Sequence, residues 1–134
     1  MRTMLKSKIH RATVTAADAN YEGIITLDPL LMEAADIIPY EQVHVLDVDN
    51  GSRLTTYAIA GDRASGRVVI NGAAARLVNE GDIVIILTYT DVPDVEAHSR
   101  QPKLVYVDSG NQITRQAAEL SATVAANGRS SHAR

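Results

Sequence analysis

Apolar and polar positions alternate in short runs along this chain, and turn residues close the runs at regular intervals, the pattern of a sandwich or barrel. From Lys6 to Thr15, the positions Ile9, Arg11, Thr13 and Thr15 alternate with Lys8, His10, Ala12 and Val14, a strand period of two. A second strand is predicted from Tyr21 to Leu27. The segment from Asp28 to Ala35 then changes period. Asp28 suits an N-cap, Pro29 suits the first helical position, and Leu30, Leu31, Ala34 and Ala35 share one helical face. Strands predicted over Gln42–Asp47 and Arg53–Ala60 flank Asp49-Asn50-Gly51, so a hairpin closed by a type I′ turn is expected. Arg67 to Ile70 reads as a short strand, and Asn71 to Leu77 as a tight turn opening a short helix. Ile83 to Leu87 is continuously apolar and predicts a strand buried on both faces. Lys103 to Val107 is the last strand expected, with a weak helix over Thr114 to Ala126 and a frayed end beyond it.

Composition narrows the picture. A length of 134 residues suits one domain. With 46% apolar residues but no Phe and no Trp, the core falls to Val, Ile, Leu and Ala, a mixture that favours strands. No apolar run reaches the length of a membrane span, and the basic segment Met1–Lys8 is followed by no apolar stretch, so no signal peptide is expected. The absence of cysteine excludes a disulfide framework, a thiolate metal site and a Cys nucleophile. A net charge of −3 with scattered basic residues argues against a nucleic-acid surface. The expectation is a cytoplasmic, mainly β domain over residues 1–115, with a C-terminal helix or tail over 116–134.

Candidate chemistry is sparse. His10, His44, His98 and His132 show no metal-ligand spacing, so no metal site is predicted. Nor does any nucleophile elbow or glycine-rich phosphate loop occur. On the strand Arg53–Ala60, period two puts Arg53, Thr55 and Tyr57 on one face and Leu54 and Thr56 on the other. A guanidinium and a phenol on one face suit a carboxylate clamp with a proton donor, although the same pattern describes a solvated strand face. In Asn71-Gly72-Ala73-Ala74-Ala75, small residues after a glycine let backbone N–H groups approach an anion, or simply make a packed turn.

Taken together these segments resemble one family. Arg2 to Arg11, Tyr21-Glu22-Gly23, Asp49-Asn50-Gly51, Thr56-Tyr57-Ala58-Ile59, Asn71 to Ala75 and Gly81-Asp82-Ile83-Val84-Ile85 look like aspartate 1-decarboxylase, collinearly from Arg2 to about Val107. The resemblance implies a double-psi β-barrel with short helices, a homotetramer, and active sites between neighbouring subunits. It implies a cofactor made from the chain: a serine after glycine attacks the preceding carbonyl, and elimination leaves an N-terminal pyruvoyl group that serves as electron sink for aspartate decarboxylation. Carried onto this chain, it makes Arg53 the partner of a substrate carboxylate, Thr56 a hydrogen bond to it and Tyr57 the proton donor. Gly72, Ala73 and Ala74 would offer backbone donors, Asn71 and Lys8 would orient the reacting groups, and His10 would stand nearby.

The chain departs from the family pattern at Gly23-Ile24, where the serine is replaced, and at Arg76, where a histidine is expected. Ile24 has no hydroxyl, so the pyruvoyl group cannot form there and no cofactor is predicted. Thr26 has a hydroxyl but follows Ile25 rather than glycine. Three readings follow. One is a divergent paralogue acting on a small carboxylate without pyruvoyl; the others are aspartate decarboxylation making β-alanine, and a non-catalytic binding or regulatory subunit.

Overall fold

The computed structural model describes residues 1–18 and 24–119 of the chain. Its backbone of regular structure is nine strands in the order β2-β6-β3-β5-β4-β7-β1-β8-β9. The longest, β1 (Arg2–Thr13), pairs antiparallel with β7 (Ile83–Val92) and parallel with β8 (Lys103–Val107). Two register shifts interrupt β1, and Arg11 sits in the second with φ +62°, so the strand coils rather than running flat. Only Val14 and Thr15 separate it from β2 (Ala16–Asp18), which pairs parallel with β6 (Val68–Asn71). Within that step Val14 N–H donates to the Asp82 carbonyl and Thr15 N–H to the Val68 carbonyl. One continuous segment therefore serves one end of the row, at β2, and a strand near the other end, β1, and the row curls on itself. This is the double-psi β-barrel that the resemblance implied.

Inside the curl lie Ile9, Ile25, Leu27, Leu31, Val43, Val45, Ala58, Val68, Ile70, Val84 and Ile86, each at most 1% exposed. β4 (Gln42–Asp47), β5 (Arg53–Ala60) and β8 occupy the residues that alternation predicted. The helix α1 (Pro29–Ala34) is likewise where expected, with the Asp28 carboxylate accepting from Leu30 N–H. That carboxylate also accepts from Ala64 N–H at 3.0 Å and Gly66 N–H at 2.9 Å. Burial alone would raise its pKa, but the three amides and Arg63 outweigh it, and the value lies below the ordinary carboxylate range. A second short helix, α2 (Asp94–Ala97), follows β7.

Four expectations change. Met32, not Leu30, joins Leu31 and Ala35 in the core, because a two-turn helix rotates only part of its surface inward. The β4–β5 turn is not type I′: it holds four residues, Val48 to Gly51, and only Gly51 has positive φ, at +77°. The Asp47 carboxylate causes this, accepting from Asp49 N–H at 2.8 Å and Asn50 N–H at 3.2 Å and so winding the loop around itself. β7 is buried on one face only: Val84, Ile86 and Thr88 are inside, while Ile83, Ile85 and Leu87 are half-buried, since one curled sheet has one interior. Finally, β8 is not the last strand. Asn111, at φ +61°, turns the chain into β9 (Ile113–Ala117), which pairs antiparallel with β8. Residues 115–117 thus pair with β8 in a ladder where a helix was predicted. The rest of that helix lies mostly outside the described residues, as does the first part of the strand predicted from Tyr21. None of the described helices is long and apolar enough to cross a membrane.

Candidate functional site

Two clusters occupy the outer face of the sheet. The first is a row across three strands. β3 (Ile25–Leu27) lies between β5, its parallel partner, and β6, its antiparallel one, with Ile25 level with Ala58 and Ile70. All three of those side chains are fully buried. Alternation then turns their neighbours Ile24, Tyr57 and Asn71 outward, abreast of one another. Asn71 N–H donates to the Ile24 carbonyl at 3.0 Å, and Asn71 Nδ2 donates to Thr26 Oγ1 at 3.3 Å. Asn71 is itself 92% buried, its exposure being 8%. Next to it Gly72, at φ +65°, turns the chain into the 3-10 turn Gly72–Arg76. Ala74 and Ala75 of that turn pack on the core, while Ala73 and Arg76 are exposed.

The second cluster is an open groove of about 600 Å³ lined by Thr3, Gln42, His44, Arg53, Tyr89, Thr90 and Asp91. Its parts come from β1, β4, β5 and β7. Lys8, Leu87, His44 and Thr55 stand abreast on those four strands, so Lys8 shares the groove's face. His44 Nδ1 lies 3.3 Å from Thr55 Oγ1, and the Tyr89 ring meets the imidazole edge-on at 5.1 Å. Thr3 Oγ1 donates to Asp91 at 2.6 Å, which leaves the Arg53 guanidinium as the group in the groove able to grip an anion in bidentate fashion. His10 stands farther off on β1, its ring 5.5 Å from Tyr106, which carries the Arg115 guanidinium 4.1 Å from its centroid.

The site residues expected from the sequence are therefore divided. Arg53 lines the groove and Lys8 shares its face; Asn71, Gly72, Ala73 and Ala74 lie with the row, and Tyr57, opposite the groove's Gln42, stands where the two meet. The Tyr57 ring leans on Tyr40, 6.3 Å away, rather than on Arg53. Thr56 points to the other side of β5, where its strand neighbour is the buried Val43. One chain does not bring Arg53 and Thr56 to one ligand. Gly23 lies outside the described residues. His44, Tyr89 and Asp91 were missed by sequence reasoning. Only the alternation of Gln42 and His44 with Val43 and Val45 hinted that His44 faces outward.

Residues 1–114 match the family model described as aspartate decarboxylase. The chain belongs to the aspartate decarboxylase family. Its pyruvoyl group would arise at the head of β3, and the residues there do not fit it. Ile24 supplies a half-buried hydrocarbon between Tyr57 and Asn71, with no oxygen to attack a carbonyl. Thr26 does not replace it, because the Ile25–Thr26 peptide sits mid-strand, laddered to β5 and β6.

Proposed function

We propose that this family member has left pyruvoyl chemistry and uses the retained carboxylate pocket for a different reaction on a small carboxylate-bearing molecule. What supports the reading is the row: Ile24, which the family resemblance sets at the processing position, has no hydroxyl, and Tyr57 and Asn71 stand abreast of it. In this reading Arg53 grips the carboxylate and Lys8 adds positive charge to the same face. Tyr57 supplies or takes a proton, and the Gly72–Ala74 turn closes the pocket. Proton transfer, elimination or cyclisation asks for nothing beyond a positioned acid and a held carboxylate.

On one chain Thr56 faces away from Arg53, which supports an assembly in which neighbouring subunits complete each other's pockets, as in a homotetramer. Tyr40, 78% exposed beside Tyr57, and the half-buried outer residues of β7 give such a contact apolar surface. For an enzyme of small-molecule metabolism the cytoplasm is the compartment proposed.

Restoring the hydroxyl tests the reading. Ile24→Ser in the otherwise unchanged chain should allow slow cleavage between residues 23 and 24, at a stability cost of about 1–3 kcal/mol, with β-alanine formed from aspartate. That outcome would show a pocket altered at one decisive residue. A folded variant that stays whole for days would show that the surrounding geometry has itself moved away from processing.

A further inference from the structure

Away from the groove and row, the β4–β5 loop meets the turn before β7, and three carboxylates converge there. One oxygen each from Asp47, Asp49 and Asp82 lies within 4.8 Å of the others, a spacing that matches oxygens arranged around an ion bound at 2.3–2.6 Å. Backbone amides already orient each side chain. Asp47 Oδ1 takes two N–H groups of its own loop, Asp49 Oδ2 takes Ile83 N–H at 2.7 Å, and Asp82 Oδ2 takes Asn79 N–H at 3.0 Å. Each residue thus keeps a second oxygen for another role. The telling one is Asp47 Oδ2: it belongs to a side chain 2% exposed, is itself buried, and has no hydrogen-bond donor. A buried, orphaned carboxylate oxygen is costly, and the group it faces is another carboxylate, Asp82, rather than a cation.

We propose that Asp47, Asp49 and Asp82 form a calcium site that pins the β4–β5 loop to the turn leading into β7. An all-oxygen, all-carboxylate donor set selects a hard divalent ion. Loop-borne ligands with irregular spacing, open to water on the Asp49 side, suit calcium better than the strict octahedron magnesium demands. The ion completes the coordination of Asp47 Oδ2 and ties together two segments already linked by Val48 N–H to the Ile83 carbonyl and Asn50 Nδ2 to the Leu77 carbonyl.

The test is a calorimetric titration of chelator-stripped protein with calcium chloride near neutral pH, with magnesium chloride in parallel and thermal unfolding recorded with and without each ion. The expected result is one saturable calcium site per chain, weaker magnesium binding, and a Tm raised by about 3–6 °C at saturating calcium. Asp49→Asn keeps an acceptor for Ile83 N–H and changes an exposed residue, so it should fold normally and bind calcium at least about tenfold more weakly. No saturable heat with the unchanged protein up to about 5 mM calcium, or equal affinity in Asp49→Asn, would overturn the proposal. A Tm indifferent to calcium but raised by mild acid would show that a proton shared by Asp47 and Asp82 fills the gap instead, and would also overturn it.

Discussion

The row at Ile24 and the groove at Arg53 occupy the same outer face of the sheet but are built differently. The row is made by ladder register: Ile24, Tyr57 and Asn71 stand abreast because Ile25, Ala58 and Ile70 are locked into the core beneath them. The groove is made by side chains from four strands that leave an open surface, with little packed against them. On the proposed reading, the residue at position 24 can change without disturbing the fold. A half-buried outward position on a strand accepts any side chain that suits a pleated surface, and isoleucine suits it well. The barrel's architecture is therefore no guide to whether a pyruvoyl group forms.

The contrast is sharpened most strongly by changing what anchors the row. Asp28, at the end of β3, holds the amides of Leu30, Ala64 and Gly66. Asp28→Ala orphans all three and should cost about 2–4 kcal/mol in urea unfolding. A loss below about 1 kcal/mol would mean that water replaces the carboxylate at the strand end. The same group sets an acid limit. Its folded pKa is depressed, so its contribution is complete above the ordinary carboxylate pKa and is lost as pH falls through the lowered folded value. In Asp28→Asn the stability curve should be flatter across that acid window.

On the groove side the balance reverses. Arg53→Ala should weaken binding of small carboxylic acids by about 1.5–3 kcal/mol in calorimetry, as for a hydrogen bond to a charged group, while unfolding free energy stays within about 0.5 kcal/mol. Unchanged binding would reduce Arg53 to a solvated strand residue. The smallest effect is expected at Asn71→Ala, about 1 kcal/mol in stability, because its side-chain bond to Thr26 is long and the backbone bond to Ile24 survives. A larger loss would mean that the side chain, and not the ladder alone, holds the row in place.

How far these features were legible depends on their range along the chain. β4, β5 and β8 and the Asp28 cap are written in local alternation and capping chemistry, and they stand where predicted. The β4–β5 turn was misread because Asp47, before the Asn-Gly pair, competes for the same amides. β9 was missed because Thr114 to Ala117 has no strand pattern of its own and takes its structure from β8. The row could be anticipated through the family resemblance, since Tyr57 and Asn71 lie within recognisable motifs. His44, Tyr89 and Asp91 could not, because they are single residues on strands distant in sequence that meet only when β4 pairs with β7.

Whether Ile24 ends pyruvoyl formation in this chain is decided by the intact mass of the purified, unaltered protein. One uncleaved species is expected at the 14.4 kDa of the full sequence, unchanged on long incubation. Two fragments corresponding to residues 1–23 and 24–134 would contradict it, and would return the protein to self-processing despite the missing hydroxyl.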